Sequence, residues 1–162
     1  MTTVAIRQAG GPADYVQARS LFEEYAAWLG VDLCFQGFAE ELATLPGAYA
    51  PPRGRLLLAG PPEAAVGCIA LRPLAAADAP EGATGEVKRL YVKPQARGTG
   101  LGRTLVEALL REARDIGYRE LKLDTLDRMA DACRLYARLG FAVCSPYYHN
   151  PLPGAVYMSR SV

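Results

Sequence analysis

One loop constrains the fold of this chain more than any other feature. The stretch YVKPQARGTGLGRTLVEALLREAR, residues 91–114, joins a strand-like run to a leucine-rich run with helical spacing, and glycines stand at positions 98, 100 and 102 between them. Glycines let a backbone come close to a ligand with its amide hydrogens free. The first turn of a helix adds unpaired N–H donors and the positive end of the dipole. The pattern therefore predicts a strand–loop–helix unit that holds an anion, and Arg97 and Arg103 supply charge that suits a pyrophosphate.

The spacing of this loop excludes two common phosphate sites. A nucleoside triphosphate loop needs GxxxxGK[ST], but the required Gly-Lys pair falls on Arg103 and Thr104. A dinucleotide fingerprint needs GxGxxG, and Gly98, Gly100 and Gly102 are one residue too closely spaced. A plain connecting turn, with no ligand, stays open on the spacing alone.

Composition bounds the remaining possibilities. A chain of 162 residues predicts one domain, residues 1–162. A net charge of +1 gives no reason to expect nucleic acid or an anionic membrane as a partner. The N-terminus lacks the apolar core of a signal peptide and no apolar run approaches a membrane span, which indicates a cytoplasmic protein. Four widely spaced cysteines without a CxxC pair and a single histidine predict reduced thiols and no metal site.

Hydrophobic periodicity predicts an α/β fold. The expected element order is βααβββαβαββ, which corresponds to a mixed sheet covered by helices. Strands are expected at residues 3–7, 55–59, 65–72, 86–92 and 120–124, with two more within residues 141–162. Helices are expected at residues 12–29, 35–45, 100–116 and 127–139, and a loop at residues 75–85.

Two motifs in register resemble the GNAT superfamily of N-acetyltransferases, which transfer an acetyl group from acetyl-coenzyme A to an amine. The family loop Q/R-x-x-G-x-G/A is met by Arg97, Gly100 and Gly102, and the family motif LYxxLGF is met at residues 135–141. The chain resembles in particular bacterial members that read KRLYV.P..RG.GLGR.L and LDTL..M..A..LY..LGF. The resemblance implies a mostly antiparallel mixed sheet of about seven strands with about four helices, splayed between the fourth and fifth strands.

The resemblance also implies catalytic roles. Glu86 opens the strand before the loop, where family members with a glutamate base carry it, and is expected to accept the amine proton. The alternative is a strand-start carboxylate paired with Lys88 or Arg72. Tyr136 is expected beside the thioester sulfur as the general acid, since a phenol titrates within a couple of units of a thiol. Helical spacing alone would make Tyr136 a core residue.

Acetyl-CoA is the donor that the resemblance implies. Backbone groups on the strand that ends at the loop are expected to pair with the pantetheine arm, as a peptide adds to a sheet edge. The expected donor-binding residues are Leu90, Tyr91, Val92, Arg97, Gly98, Thr99, Gly100, Leu101, Gly102 and Arg103. Many members carry Asn at the position of Met129, which cannot make the same hydrogen bonds, so donor contacts from that helix are in doubt.

The acceptor is less constrained. In the family it is chosen by the first two helices and the C-terminal loop, which here contain Phe35, Tyr147 and His149. Arg72 and Lys88 are also expected near the cleft, where they would attract a carboxylate-bearing acceptor such as an amino acid or small peptide, or would form ordinary ion pairs. Each of these five residues has a structural explanation as well, a core or loop anchor for the aromatic ones and a solvated loop residue for His149.

Two function classes remain. The first is an N-acetyltransferase that moves acetyl from acetyl-CoA to a primary amine of a small molecule or peptide by direct attack in a ternary complex. The second is a module that binds acyl-CoA without turnover, against which the presence of both Glu86 and Tyr136 argues. Family members are often dimers through their C-terminal strands, so a homodimer stays open.

Overall fold

A seven-stranded mixed sheet runs through the structure. The computed structural model describes residues 3–76 and 79–162. The strand order is β1-β2-β3-β4-β5-β7-β6, and each neighbouring pair is antiparallel except β4 and β5. The strands are β1 Ile6–Gln8, β2 Arg55–Ala59, β3 Gly67–Pro73, β4 Thr84–Val92, β5 Glu120–Leu126, β6 Ala142–Val143 and β7 Ala155–Ser161.

Four α-helices in the described residues cover this sheet. They are α1 Pro12–Leu29, α2 Phe38–Thr44, α3 Leu101–Ile116 and α4 Ala130–Arg138. One face of the sheet packs against α1 and α2 through a core that includes Phe22, Leu56 and Leu58. The other face packs against α3 and α4 through a core that includes Leu105 and Leu121. Burial of apolar side chains on both faces fixes the sheet between its helices.

The single parallel pair positions the site. β4 and β5 pair only at Thr84↔Glu120, Gly85↔Leu121 and Glu86↔Lys122, so the rest of β4 has no strand partner on that side. The β3–β4 register also shifts between Cys68 and Ala70, and Arg89 on β4 has φ +60°. A register shift with a left-handed residue is a β-bulge, which bends a strand and re-aims its side chains. The two strands therefore splay beyond residue 86.

The predicted fold class is confirmed, including the mostly antiparallel sheet, the seven strands and the four helices. Boundaries differ where a backbone contact overrides the hydrophobic pattern. The helix expected at residues 35–45 is divided at Gly37, whose φ of +68° ends a short 3-10 helix, Cys34–Gln36, before α2 begins. The helix expected from residue 127 begins at Ala130, because the backbone N–H of Asp127 donates to the carbonyl of Gly154.

Strand boundaries shift as well. The strand expected at residues 86–92 begins at Thr84, since the described end of the preceding loop already pairs with β5. Residues 77 and 78 of the loop expected at 75–85 lie outside the described residues. The first strand covers Ile6–Gln8 rather than residues 3–7. These shifts leave the order of elements unchanged.

Other features predicted from composition can be compared with the structure. All four cysteines are free thiols in the structure. Among residues 3–76 and 79–162 there is no helix long and apolar enough to cross a membrane. The same residues contain no group of three or more His, Cys, Asp and Glu side chains that could hold a metal ion. The cytoplasmic location and the single domain stay predictions.

Candidate functional site

A cavity of about 350 Å³ lies where β4 and β5 splay. Its wall combines the glycine loop, the ends of both splayed strands, helices α1 and α4, and the loop before β7. The lining residues include Leu90, Tyr91, Val92, Arg97, Gly98, Leu101 and Gly102 from β4 and the glycine loop, and Lys88, Asp124, Met129, Tyr136 and Asn150 from the surrounding elements. One cavity therefore joins the predicted anion site to a polar inner end.

The glycine loop has a backbone conformation that leaves its N–H groups unbonded. Gly98 and Gly100 have φ of +77° and +81°, a left-handed conformation that glycine adopts at little cost. Gly100 is the N-cap of α3, and no acceptor among the described residues bonds the backbone N–H groups of residues 98–103. Successive free N–H groups at a helix N-terminus form a concave site for phosphate oxygens. The local conformation thus fits the pyrophosphate predicted from the sequence.

Arg97 is held beside this loop by aromatic rings. Its Nε donates to the carbonyl of Val92 at 2.9 Å, and its guanidinium lies 4.7 Å from the ring centre of Trp28 and 5.6 Å from that of Tyr91. Trp28 is 46% exposed, which is unusual for so large an apolar side chain. Contact with the rings of Trp28 and Tyr91 therefore fixes the Arg97 cation at the rim of the cavity. Arg103 points outward instead and pairs with Glu107 at 2.8 Å.

Tyr136 lines the cavity from α4. Its ring packs edge-on against Phe141 with centroids 5.6 Å apart, which explains why the motif carries an aromatic residue at both positions. The side chain is buried, and no group in the described part of the chain hydrogen-bonds its hydroxyl. Burial raises the pKa of Tyr136 well above its usual range. The phenol therefore holds its proton at neutral pH, and the raised pKa makes it a weaker acid than the ordinary phenol on which the sequence expectation was based.

Glu86 lies behind the cavity surface. Its side chain is 1% exposed and it does not line the cavity. Oε1 accepts from Nε of Arg72 at 2.8 Å, and Oε2 accepts from the hydroxyl of Tyr147 at 2.6 Å. Burial and the neighbouring Glu86 carboxylate raise the pKa of Tyr147 beyond its usual range. Arg72 and Tyr147 thus contact Glu86, and neither of them lines the cavity.

Lys88 lines the cavity and is nearly buried. Its Nζ donates to Oε1 of Gln36 at 3.0 Å, and the same oxygen accepts from Nη1 of Arg89 at 2.8 Å. Two consecutive cations face the same side of the sheet because the bulge interrupts the alternation of β4. Arg89 is balanced by two hydrogen bonds to Glu41, each 2.9 Å long. Burial lowers the pKa of Lys88, and Glu86 partly offsets this.

Two carboxylates line the cavity, Asp124 and Asp131, and Asp131 is exposed and paired with Arg134. Oδ2 of Asp124 accepts from the hydroxyl of Tyr148 and from the side-chain amide of Asn150, the latter at 2.8 Å. The Tyr148 hydroxyl also accepts from Nε2 of Gln36 at 3.2 Å, which links the loop before β7 to the 3-10 helix. Burial, followed by the bond to Asp124, raises the pKa of Tyr148. Hydrogen bonds through Asp124 and Tyr148 therefore connect β5, the loop before β7 and the 3-10 helix.

The remaining predicted site residues lie outside the cavity wall. Phe35 belongs to the 3-10 helix, and His149 is exposed in the loop before β7. Thr99 donates its hydroxyl to the carbonyl of Ala96 at 2.7 Å, which stabilises the loop conformation. Met129 lines the cavity where many family members carry Asn, so the wall at that point is apolar.

Several residues of this site were not predicted from the sequence, among them the polar residues Gln36, Arg89, Asp124 and Asn150. Asp124 lies in the LDTL segment that carries part of the resemblance, and it stands two residues beyond the last β4–β5 pair. That register was the signal that could have identified it. Gln36 and Asn150 are brought in from distant loops, and only the packing of those loops places them here.

Comparisons with known proteins identify the family of this chain. The chain matches the model of the family described as "Acetyltransferase (GNAT) family" over residues 18–141. An uncharacterized N-acetyltransferase of Schizosaccharomyces pombe is 39% identical over 160 residues, which cover 97% of this chain and 94% of that protein. An acetyltransferase structure from Streptococcus agalactiae has a TM-score of 0.79 at 20% identity and covers 100% of both chains. A phosphinothricin acetyltransferase from Sinorhizobium meliloti, solved in complex with AcCoA, has a TM-score of 0.72 at 19% identity, covering 99% of this chain and 89% of that one.

Proposed function

Because this chain belongs to the GNAT family and is an acetyl-CoA-dependent N-acetyltransferase, we propose that it acetylates a primary amine of a small molecule or peptide. The amine attacks directly, within a ternary complex of protein, donor and acceptor. The observation that carries the proposal is the continuous cavity, which reaches from the free N–H groups of residues 98–103 past Tyr136 to the polar residues Lys88 and Asp124.

The donor half follows from the loop. The backbone N–H groups of residues 98–103 would bind the pyrophosphate of acetyl-CoA, with Arg97 adding charge at the rim. The unpaired side of β4 at Leu90 and Val92 would bind the pantetheine arm as an added strand. The thioester supplies an activated acyl group. Apolar Leu90, Val92 and Met129 exclude water from it, which suppresses hydrolysis.

The proton steps belong to two side chains in this proposal. An amine with a pKa near ~10.4 arrives mainly as an ammonium and must lose a proton before its nitrogen can attack the thioester carbon. Glu86 accepts that proton. As the new C–N bond forms and the C–S bond breaks, Tyr136 donates its hydroxyl proton to the departing sulfur. The products are an N-acetyl amine and free coenzyme A.

Glu86 acts through water in this scheme, because its carboxylate lies behind the cavity wall with both oxygens already hydrogen-bonded. A second candidate for the base is Asp124. The observation that favours Asp124 is its place in the cavity wall, with Oδ1 unbonded among the described residues. Either carboxylate satisfies the proton balance.

Three variants test the roles of these residues. Tyr136→Phe keeps the packing against Phe141, and loss of one proton-transfer group predicts a fall in kcat of about 10²-fold with little change in the KM for acetyl-CoA. Glu86→Gln and Asp124→Asn separate the two candidate bases, because only removal of the base flattens the acidic limb of the kcat/KM pH profile. Unchanged turnover in Tyr136→Phe would exclude it as the acid.

The alternative is a module that binds acyl-CoA without turnover. Release of free thiol from acetyl-CoA in the presence of amine pools separates the two functions, since only turnover produces thiol. Tight binding of coenzyme A with no thiol release for any amine would support the binding module.

Two finer predictions complete the proposal. The resemblance was to bacterial members, whereas a relative 39% identical comes from Schizosaccharomyces pombe, so a specifically bacterial subgroup is supported only by the motifs. A reducing compartment such as the cytoplasm is supported by four free cysteines.

A further inference from the structure

A cation and an anion both line the cavity where the sheet opens. The last paired position of the two parallel strands is Glu86↔Lys122. Lys88 and Asp124 each lie two residues beyond it, and residues two apart on a strand point to the same face. Both side chains line the cavity. Lys88 and Asp124 are therefore the first residues on this face that lie beyond the hydrogen-bonded part of β4 and β5.

The Lys88 ammonium has unused capacity. Its side chain is only 5% exposed, yet its one hydrogen bond in the described chain goes to Gln36, whose Oε1 is shared with Arg89. An ammonium has three N–H donors, so two remain for a ligand in the cavity. Arg89 differs, because Glu41 already neutralises it. Lys88 is thus the cation available to an incoming anion.

The Asp124 carboxylate has an oxygen that can still accept hydrogen bonds. Tyr148 and Asn150 both bond Oδ2, which leaves Oδ1 open among residues 3–76 and 79–162. Among those residues no ion pair within 4.0 Å joins Asp124 to Lys88. A buried charge without a partner costs free energy unless a bound group of opposite charge neutralises it. The gap between the two groups is open to a molecule that carries both signs of charge.

We propose that the acceptor is an α-amino acid or a close analogue, with its carboxylate bound by Lys88 and its amino group bound by Asp124. This inference rests on the proposed acetyltransferase function and names the acceptor class for it. The same cavity also receives the arm of the donor, and its volume of about 350 Å³ favours a small acceptor. Polyamines lack the carboxylate that Lys88 requires. The buried cation also opposes the approach of a second positive charge.

Matched amines provide the test. L-phenylalanine, L-phenylalaninamide and phenethylamine share a side chain and differ in the carboxylate, and equivalent sets can be made for methionine and leucine. Thiol release is measured with each compound at fixed acetyl-CoA. The wild-type protein is expected to show kcat/KM for the preferred amino acid about 10- to 100-fold above that for its amide and decarboxylated amine, as expected for a charge-assisted bond.

Substitution of Lys88 assigns that preference to one side chain. Lys88→Met is expected to remove the advantage of the carboxylate by raising the KM for the amino acid, while the KM for acetyl-CoA stays the same. Lys122→Met is the matched control, because Lys122 lies on the neighbouring strand, pairs with Glu120 and does not line the cavity. Asp124→Asn is expected to weaken the binding of the amino acid and of its amide equally, since both compounds retain the amino group. Its effect therefore separates amine binding from carboxylate binding.

The possible outcomes separate the amino-acid acceptor from the acetyltransferase function on which it rests. Equal kcat/KM for all three compounds, in the wild-type protein, overturns the amino-acid acceptor and leaves the acetyltransferase standing. Thiol release from none of these compounds, and from no amine in the wider pools, overturns both. If Lys88→Met does not fold, as judged by circular dichroism, the wild-type preference among the three compounds still decides the question.

Discussion

The buried pair of Arg89 and Glu41 should control both the stability of the fold and the shape of the acceptor side. The Arg89 side chain is 2% exposed and the Glu41 side chain 11% exposed, and two hydrogen bonds of 2.9 Å join them. Glu41→Gln removes the negative charge with almost no change of shape. The substitution leaves a buried guanidinium with one neutral acceptor in place of a carboxylate.

The expected loss can be worked from this environment. Breaking a buried ion pair by removing one partner costs about 3–5 kcal/mol, because the remaining charge is uncompensated. Arg89 keeps its bond to Gln36 and lies 5.1 Å from the ring centre of Phe38, and the new side-chain amide would retain one acceptor oxygen. We therefore expect the low end, about 3 kcal/mol. For a domain of this length that corresponds to a fall in Tm of about 10 °C.

Urea unfolding, followed by far-UV circular dichroism, measures this loss directly. Glu40→Gln is the matched control, because Glu40 is its neighbour on α2, is exposed and loses the same charge. We expect the control to change the free energy of unfolding by less than about 0.5 kcal/mol. Equal urea midpoints for the two variants would show this expectation to be wrong, since the structure places only Glu41 against a buried cation.

Two further predictions address the loop and the first helix. Gly100→Ala should lower the free energy of unfolding by about 1 kcal/mol, because its φ of +81° is left-handed. Gly102→Ala, inside α3 with Leu135 as its nearest neighbour at 3.5 Å, should instead raise the urea midpoint slightly; midpoints that shift in the same direction would contradict this. For Asp14, a hydrogen bond from the backbone N–H of Gly10 lowers the pKa, opposed by burial and reinforced by Arg7. Because the pKa of Asp14 is lower in the folded state, its ionised form stabilises the fold at pH values above the unfolded-state pKa of ~3.9. This stabilisation is lost as the pH falls through the folded-state pKa. Asp14→Asn should therefore be less stable at pH ~7, and the difference from wild type should close below pH ~4 in urea titrations; a difference that persists at low pH would contradict it.

The donor side was predictable from the sequence because its chemistry is local. Gly98 and Gly100 stand close together in the chain, and their conformation together with the start of α3 leaves the N–H groups of the proposed anion site free without help from distant segments. For Tyr136, helical spacing alone predicts a core residue, and the structure does bury its ring against Phe141. Its role as the acid came from the resemblance of its motif to the GNAT family and stays a proposal. Short-range geometry sets the loop conformation and the burial of Tyr136, so the spacing of residues in the sequence was enough to predict both.

The acceptor side was only partly predictable because register and tertiary contacts determine it. Arg89 at φ +60° brings two adjacent cations to one face, which contradicts the strict alternation that the sequence pattern of a strand predicts. Gln36 reaches Tyr148 across 112 positions of the chain. Glu86 could be placed on the correct strand, yet its burial behind Arg72 and Tyr147 depends on the loop before β7. Asp124 became visible as an acceptor-side residue only when the pairing of β4 with β5 was known.

A turnover assay that identifies the product tests the proposed acetylation of an amino acid most directly. The purified protein is incubated with acetyl-CoA and a pool of L-amino acids, free thiol is followed over time, and the acetylated species is identified by mass spectrometry. We expect thiol release with equal formation of one or a few N-acetyl amino acids, and a loss of both in Tyr136→Phe. Thiol release without an N-acetyl amino acid, or with acetylation of the matched amides at the same rate, would contradict the proposal.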